Sequence, residues 1–249
     1  MKTWLHAFFM AWGTFLAIPC PYKKWDEKAL DKMLVFLPVI GLIVGGVWAL
    51  AAYLTSLILG YPRAGIIAAI LMAVPWITTG FIHLDGFMDV CDAALSRRDL
   101  ETRQKILKDP HTGSFAVISL GLLIVFSFVV LASWWYRAAK LVPLALIPVS
   151  TRACAGIAVL ALKPMSTSQY SRERDRKLII PLCVMLAAAV VLPIVFMGLS
   201  GLAPAAAAAG YWLFCLYGRK QLGGMNGDIS GFALTLGELI GQTVLVFVG

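Results

Sequence analysis

Charged side chains are scarce in this chain: Asp, Glu, Lys and Arg together make up only 14% of its 249 residues. Hydrophobic residues make up 60%, and the mean hydropathy is +0.85. A water-soluble core has no room for that much apolar surface, so the composition excludes an ordinary soluble globular protein. It predicts an all-α, polytopic integral membrane protein, a bundle of transmembrane helices.

Several other signals are missing. The five cysteines form no Cys-x-x-Cys pair and mostly fall in apolar stretches, so we expect them to act as small apolar residues. No internal repeat and no Ser- or Gly-rich linker divides the chain, which predicts one transmembrane domain over residues 1–249. The net charge of +8 comes without a stacking motif or a continuous basic stripe, and we expect no nucleic-acid partner.

Long apolar runs are what the sequence has instead. A short one, Trp4–Ile18, is expected not to cross a bilayer and ends near two prolines, which predicts an interfacial helix. A cleaved signal peptide is the alternative there, but the single Lys2 and the Pro before Cys20 argue against it. Seven runs approach the roughly 20 residues that a bilayer requires. They are Leu34–Leu59, Ala64–Ile82, Phe115–Ser133, Leu141–Leu162, Leu178–Gly198, Leu202–Tyr217 and Gly231–Val248.

The Lys and Arg residues are distributed asymmetrically about these seven spans. In that arrangement 17 of the 21 fall on one side and three on the other, and 12 of the 13 Asp and Glu residues share the richer side. The positive-inside rule makes that side cytoplasmic. We therefore predict that the lipid bilayer is a partner and that the chemistry takes place at the cytoplasmic face, in loops 83–114, 163–177 and 218–230.

The segment that follows the second span carries three carboxylates, Asp85, Asp89 and Asp92, at i, i+4 and i+7. On a helix they share one face, where ionised carboxylates repel one another unless a cation neutralises them. The all-oxygen set favours Mg²⁺, which typically takes one or two protein carboxylates together with substrate phosphates. The pattern predicts a Mg²⁺ site for a phosphate- or diphosphate-bearing substrate. A solvated acidic helix face beside the membrane is the alternative.

Further polar residues of the same loop suit that substrate. His83, two residues before Asp85, is a candidate general base or ligand, although a polar residue at a span end is an equal alternative. His111 and Gly113 lie in a turn after a second short helix, where an imidazole and free backbone N–H groups suit a phosphate. Cations for a diphosphate, or simply topology charges, follow the carboxylates. They are Arg97, Arg98 and Lys108, with Arg103 and Lys105 beside them.

A glycine-rich run over residues 222–231 precedes the last span. Its glycines permit a close approach of the backbone to a phosphate, and the N-terminus of the following helix suits an anion. A tight interhelical turn is the structural alternative. We take Gly223, Gly224 and Asn226 as substrate-binding candidates and Asp228 as a fourth metal-binding or substrate-binding carboxylate.

Two ionisable residues lie inside predicted spans. Arg152 and Glu238 are placed where charges are costly and are usually paired or functional. We take Arg152 as a substrate-binding candidate. The sequence leaves open whether the two pair with each other.

These motifs together resemble those of the adenosylcobinamide-GDP ribazoletransferase family, the cobalamin synthases called CobS. The resemblance is carried by residues 83–93, HLDGFMDVCDA, and by residues 223–228, GGMNGD. Further matching elements, from residues 36–41 to Arg152 and Glu238, cover most of the chain in the same order. The chain departs from the family at Ala93, where Gly is common, and at Asn226, where Thr is common, but neither change removes a carboxylate.

The resemblance implies a multi-pass enzyme of the inner membrane that acts in the last stage of cobalamin biosynthesis. It implies transfer of the adenosylcobinamide-phosphate moiety from adenosylcobinamide-GDP to alpha-ribazole or its 5′-phosphate, with release of GMP and with Mg²⁺ as cofactor. It assigns Asp85, Asp89 and Asp92 to the metal and the diphosphate, and it leaves Asp228 as a second-site candidate. A homo-oligomer is compatible with the sequence.

Two other functions fit parts of the pattern. A CDP-alcohol phosphotransferase also transfers a phosphoryl-linked group at a membrane face with an Asp-rich motif, but that motif expects Ala-Arg where Met88 and Asp89 stand. A transporter would use the carboxylates as a cation pathway. Transport sites usually lie near the bilayer midplane in broken helices, whereas these carboxylates cluster at the cytoplasmic end of a span.

Overall fold

The described part of the chain is built from α-helices. A computed structural model gives residues 2–59, 61–133, 140–165 and 174–248, and the all-α prediction is confirmed. Arg137 and residues 166–173 of the predicted loop 163–177 lie outside the described residues. The helices are α1 (Lys2–Phe15), α2 (Leu30–Val35), α3 (Leu37–Leu59), α4 (Ala64–Thr78), α5 (Ile82–Leu95), α6 (Leu100–Ile106), α7 (Ser114–Ala132), α8 (Leu141–Ala161), α9 (Ile179–Met197), α10 (Leu202–Leu222) and α11 (Gly227–Phe247).

Five described helical segments are long and apolar enough to cross a bilayer, or six if the bent pair of α4 and α5 counts as one crossing. One of the five, Arg176–Leu222, has 47 residues and includes both α9 and α10. A straight helix of that length would measure about 70 Å, more than twice the hydrocarbon thickness. The chain turns between the two helices, where a Cβ on Gly201 would overlap the backbone of Pro193. The count of seven stays a prediction, because it requires α9 and α10 to cross separately.

A sharp bend separates α4 from α5. Helix α4 ends at Thr78, and the next turn contains Gly80 and Phe81 with φ angles of 59° and 63°. Helix α5 leaves at 93° to α4. The predicted span Ala64–Ile82 therefore ends earlier than expected, and the carboxylates lie on a separate helix of 14 residues.

Helices α8 and α11 form the centre of the structure. In their most apolar windows 78% and 61% of residues are buried, against 22% for α3 and 28% for α7. Glycines let α3 approach α8 closely: a Cβ on Gly41 or Gly45 would overlap carbonyl oxygens of Pro148 or Ala145. The outer helices expose large apolar side chains, as expected of surfaces that face lipid. The two ionisable residues of the predicted spans thus lie on the two most enclosed helices.

The N-terminal helix packs against the bundle with one face. Ala7 is fully buried, whereas Leu5 on the other face is 56% exposed. Just after α1, the backbone N–H of Ala17 donates to the carbonyl oxygen of Thr78, 2.9 Å away, at the bend between α4 and α5. The interfacial position of residues 4–18 stays a prediction, but the structure ties this segment to the bend that orients the carboxylates.

Candidate active site

The site forms where α5 crosses the beginning of α11. A Cβ on Gly86 would lie 2.9 Å from the Cα of Asp228, and one on Gly231 would lie 3.0 Å from the carbonyl oxygen of His83. The first distance is shorter than real Cβ contacts and the second is tighter than most of them, so a glycine on each helix permits the close contact. The hydroxyl of Thr235 also donates to the carbonyl oxygen of His83, 3.3 Å away. The crossing brings α5 and its carboxylates to the first turn of α11, where Asp228 lies.

The carboxylates at this crossing lack compensating charge. Burial, followed by the charges of Asp85, Asp228 and Asp92, raises the pKa of Asp89 to about 6. Within the described residues, neither an ion pair nor a hydrogen bond is recorded for the side chains of Asp85 and Asp89. Asp85 is exposed and Asp89 is half-buried, so both are accessible to a cation from outside.

Asp92 has a different environment from the one predicted. One of its carboxylate oxygens accepts from the backbone N–H of Gly113, and the other accepts from that of Ala116, 3.0 Å away. Gly113 is the N-cap residue of α7, so Asp92 supplies the acceptor for the first turn of that helix. The pattern of three carboxylates on one helix face did not reveal this, because the partner lies 21 residues further along.

The predicted metal set of Asp85, Asp89, Asp92 and Asp228 is not assembled as one site. Among the described residues, no three His, Cys, Asp or Glu side chains are arranged to hold one metal ion. The assignment of all four carboxylates to a metal stays a prediction, and the role of Asp92 as a helix cap argues against its direct contact with the ion. The remaining three carboxylates still fit Mg²⁺, because that ion commonly takes one or two carboxylates and completes its shell with phosphate and water.

A cavity of about 210 Å³ lies beside the crossing. Its wall combines both carboxylate-bearing helices with α1, α2, α3 and α8. The lining is apolar over most of its area. The polar residues in the lining are Thr14, His83, Asp85, Arg152, Asp228 and Ser230.

His83 lines this cavity, and one of its ring nitrogens makes no hydrogen bond. Its Nε2 atom is buried and has no hydrogen-bond partner, and its ring lies nearly parallel to that of Phe15, with centroids 6.1 Å apart. Burial, and secondarily the positive charge of Arg152, holds the pKa of His83 well below its usual range. The imidazole is therefore neutral at neutral pH and has the capacity to accept a proton or to bind a polar group.

Arg152 and Glu238 form the ion pair that the sequence left open. Arg152 Nη1 lies 2.7 Å from Glu238 Oε1, and the two side chains are only 1% and 10% exposed. Thr151 donates to the same Oε1 atom at 3.4 Å, and Arg152 Nη1 also donates to the carbonyl oxygen of Pro148 at 3.3 Å. Arg152 Nε remains buried without a partner while the residue lines the cavity. The pair fixes the guanidinium, and its Nε donor is left without a protein partner.

The glycine-rich run proves to be mainly an interhelical turn. Gly223 ends α10 with a φ of 80°, and a Cβ on Gly224 would lie 2.6 Å from the backbone nitrogen of Met165. Neither glycine is among the residues lining the cavity. Asn226 caps α11 by accepting from Ile229 N–H at 2.9 Å, and its Nδ2 atom donates to Asp228 Oδ2 at 2.7 Å. Asn226 therefore orients a carboxylate of the site.

The structure does not bring the predicted cations to the cavity. Arg97, Arg98 and Lys108 are exposed and are absent from its lining. His111 is also exposed, and its Nδ1 atom lies 2.6 Å from a carboxylate oxygen of Asp109. These four residues lie on the surface of the same loop, and a substrate-binding role for them stays a prediction.

Sequence reasoning missed the contribution of α1. Thr14 and Phe15 line the cavity although they come from a helix predicted only to lie at the membrane interface. Their residue types carry no chemical signal. Only the fold, through the contact between the end of α1 and the α4–α5 bend, places them there.

Comparison with known proteins identifies similar sequences over almost the whole chain. The model of a family described as cobalamin-5-phosphate synthase matches residues 7–246. An adenosylcobinamide-GDP ribazoletransferase of Clostridium perfringens strain 13 is 36% identical over 254 residues, which cover 98% of this chain and 99% of that protein. Proteins of the same name from Clostridium botulinum strain Alaska E43 and Shewanella frigidimarina are 35% and 28% identical, over 97% and 98% of this chain and 97% and 95% of their own lengths. No solved structure matches.

Replacing Asp89 and Asp92 separately distinguishes their two environments. Because folding raises the pKa of Asp89, its contribution to stability is present below its ordinary value of 3.8 and is lost as the pH rises through about 6. We expect Asp89→Asn to raise the thermal midpoint of metal-free protein at pH 8. We expect Asp92→Asn to lower it, because the N-terminus of α7 loses a charged cap that contributes about 1 kcal/mol.

Thermal unfolding in detergent with EDTA, between pH 5 and pH 8, measures both effects. Glu101→Gln is the control, because that side chain is 79% exposed and lies outside the cavity lining. Equal destabilisation by the two variants would contradict the assignment of Asp89 as a carboxylate without compensating charge and of Asp92 as a helix cap.

Proposed function

The chain belongs to the cobalamin-5-phosphate synthase family, and from this we propose that it is an adenosylcobinamide-GDP ribazoletransferase. It transfers the adenosylcobinamide-phosphate moiety of adenosylcobinamide-GDP to alpha-ribazole, or to its 5′-phosphate, and releases GMP. The observation that carries the proposal is the α5–α11 crossing, which gathers unneutralised carboxylates beside a cavity that also holds a buried arginine. Such a site suits a diphosphate bound together with a divalent cation.

The reaction is a displacement at phosphorus. The oxygen of a ribazole hydroxyl forms a bond to the phosphorus that bears the cobinamide. The bond from that phosphorus to the oxygen bridging to the second phosphate breaks, and GMP leaves with the bridging oxygen. The proton of the attacking hydroxyl passes to a base or to water. Positioning and charge stabilisation are the main contributions a protein makes to such a step.

We propose Mg²⁺ as the cofactor, attracted by the negative charges of Asp85, Asp89 and Asp228; one or two of these carboxylates would bind it together with oxygens of the diphosphate. When bound, the ion neutralises the charge that develops on the leaving phosphate. Burial, followed by the charges of Asp85, Asp228 and Asp92, raises the pKa of Asp89, and a divalent cation would relieve the repulsion among these carboxylates. Asn226 fixes the side chain of Asp228, and Asp92 fixes the start of α7, so both act as positioning residues.

Arg152 and His83 complete the proposed site. Arg152 Nε has no protein partner and is suited to donate to a non-bridging oxygen of the diphosphate. His83 Nε2 is likewise unpartnered, and its neutral imidazole is suited to accept the proton of the attacking hydroxyl. We propose that the exposed Arg97, Arg98, Lys108 and His111 attract the anionic substrate towards the membrane surface.

We further propose that the protein is a multi-pass protein of the inner membrane and that this site faces the cytoplasm. The support is the charge asymmetry: the loop that contains the site and the N-terminal segment are rich in Lys and Arg. The CDP-alcohol phosphotransferase alternative is not favoured, since the family and the named relatives are cobalamin synthases and ribazoletransferases.

Turnover tests the proposal directly. Purified protein in liposomes, given adenosylcobinamide-GDP and alpha-ribazole, is expected to release GMP only when Mg²⁺ is present. Asp89→Asn should lower the rate at least about 100-fold, because it removes an ionic ligand of the proposed metal site. Glu101→Gln, on the exposed surface, should leave the rate unchanged. Folded wild-type protein that forms no product would disprove the function, and product formation in EDTA would disprove the metal.

Arg152 and Glu238 allow structural and substrate-binding roles to be separated. Glu238→Leu leaves a buried guanidinium unpaired and should destabilise the protein by about 3–5 kcal/mol. The double variant Arg152→Met/Glu238→Leu removes both charges and should recover most of that stability. If Arg152 binds the diphosphate, the double variant will still show a KM for adenosylcobinamide-GDP raised at least about tenfold. A stable double variant with wild-type kinetics would make the pair purely structural.

A further inference from the structure

A second and larger cavity lies at the C-terminal half of α1, next to the site. Its volume is about 450 Å³, against about 210 Å³ for the cavity beside the carboxylates. The larger one lies within the roughly 300–1,000 Å³ usual for small-molecule sites, and the smaller one falls below that range. Residues of the second half of α1 and of the following segment 16–25 line it. We call it the N-terminal pocket.

Specific hydrogen bonds hold the wall of the N-terminal pocket. Trp12 Nε1 donates to the carbonyl oxygen of Ile18 at 3.0 Å, which folds the segment back against α1. The buried Cys20 thiol lies 3.1 Å from the carbonyl oxygen of Tyr22. Together with the hydrogen bond from Ala17 to the α4–α5 bend, these contacts give the pocket a defined shape in the absence of ligand.

The lining joins aromatic surface to positive charge. Trp25 is 54% exposed, and Tyr22 is held in place by a 3.0 Å hydrogen bond between its hydroxyl and His6 Nε2. Lys23 and Lys24 are exposed, and no ion pair is recorded for either within the described residues. A nucleotide is recognised by an aromatic ring that stacks on its nucleobase and by ammonium groups that bind its phosphate, and the pocket offers both.

The N-terminal pocket and the active-site cavity share a wall. Thr14 lines both of them, and the adjacent Phe15 lines the active-site cavity, where its ring packs on His83. The two cavities therefore adjoin at Thr14, so a ligand seated in the pocket would lie next to the active-site cavity. An interfacial anchor for anionic lipid would need the lysines and the tryptophan but not this shared wall.

We propose that the N-terminal pocket binds a nucleoside monophosphate moiety, with its base against Trp25 and its phosphate beside Lys23 and Lys24. The inference rests on the proposed function, which offers two such groups. One is the guanosine monophosphate part of the donor, and the other is the 5′-phosphate of alpha-ribazole. The corrin ring with its substituents is far bulkier than a nucleotide, so this pocket accommodates only the smaller end of the donor.

Steady-state kinetics in liposomes tests the pocket. The double variant Lys23→Gln/Lys24→Gln and the single variant Trp25→Leu should each raise one KM at least fivefold while kcat changes less than twofold. Lys28→Gln is the matched control: this lysine, three residues after Trp25, is exposed but does not line the pocket, and the KM values of the variant should equal those of the wild type.

The substrate whose KM increases identifies which group occupies the N-terminal pocket. An increased KM for alpha-ribazole 5′-phosphate, with little change for unphosphorylated alpha-ribazole, assigns the pocket to the acceptor. An increased KM for adenosylcobinamide-GDP, with weaker product inhibition by GMP, assigns it to the leaving nucleotide. Unchanged KM values in both pocket variants overturn the proposal. So does an effect that disappears in liposomes without anionic lipid, because the pocket would then bind a lipid headgroup.

The pocket remains testable if the wild-type protein forms no product, an outcome that would disprove the proposed function alone. The probes are then GMP and alpha-ribazole 5′-phosphate, each added separately to the wild-type protein and to Trp25→Phe. A change in tryptophan fluorescence that Trp25→Phe abolishes supports a nucleotide in the pocket. No change with either probe overturns it.

Discussion

The candidate active site depends on one steric constraint, the contact between the backbones of α5 and α11. Gly86 on one helix and Gly231 on the other leave no room for a side chain between them. A wider separation would move Asp85 and Asp89 away from Asp228 and would open the cavity beside His83. Because close backbone packing is also how apolar helices associate in lipid, the same contact contributes to both the fold and the chemistry.

Two charged residues that are enclosed by the bundle are paired with each other, whereas two carboxylates of the candidate site that water can reach are not. Arg152 and Glu238 lie on the enclosed helices α8 and α11 and neutralise each other. The carboxylates of Asp85 and Asp89 lie outside the five spans, on a helix that leaves α4 at 93°. Their mutual repulsion is tolerable there because water, and in our proposal a cation and a diphosphate, can reach them. The bend at Gly80 and Phe81 therefore keeps Asp85 and Asp89 out of the enclosed helices, where a charge needs a partner within the protein.

The sequence predicted the positions of the site residues best where their spacing along one helix determined them. Asp85 and Asp89 lie on one helix, as their spacing predicted, and Asp228 lies beside them at the α5–α11 crossing. Asp92 was predicted with the others because it shares their helical face. The acceptor requirement of α7, a helix 21 residues further along, determined its actual partners.

Tertiary contacts account for what local spacing failed to reveal. Gly223 and Gly224 were compatible with a phosphate loop or with a turn, and packing against residues 163–165 settles their position as a turn. The end of α1 carries only apolar residues and a threonine, so nothing in its pattern indicated that Thr14 and Phe15 line the site. The family resemblance, by contrast, was recognisable from motifs alone and is confirmed over residues 7–246.

Metal binding tests the central claim, that Asp85, Asp89 and Asp228 rather than Asp92 hold the cation. Electron paramagnetic resonance with Mn²⁺ in place of Mg²⁺, in the presence of adenosylcobinamide-GDP and without the acceptor, reports the bound ion. Our account predicts that Asp85→Asn, Asp89→Asn and Asp228→Asn each weaken Mn²⁺ binding, whereas Asp92→Asn retains it at temperatures where the variant is folded. Loss of Mn²⁺ binding in folded Asp92→Asn, or its retention in the other three variants, would contradict the account.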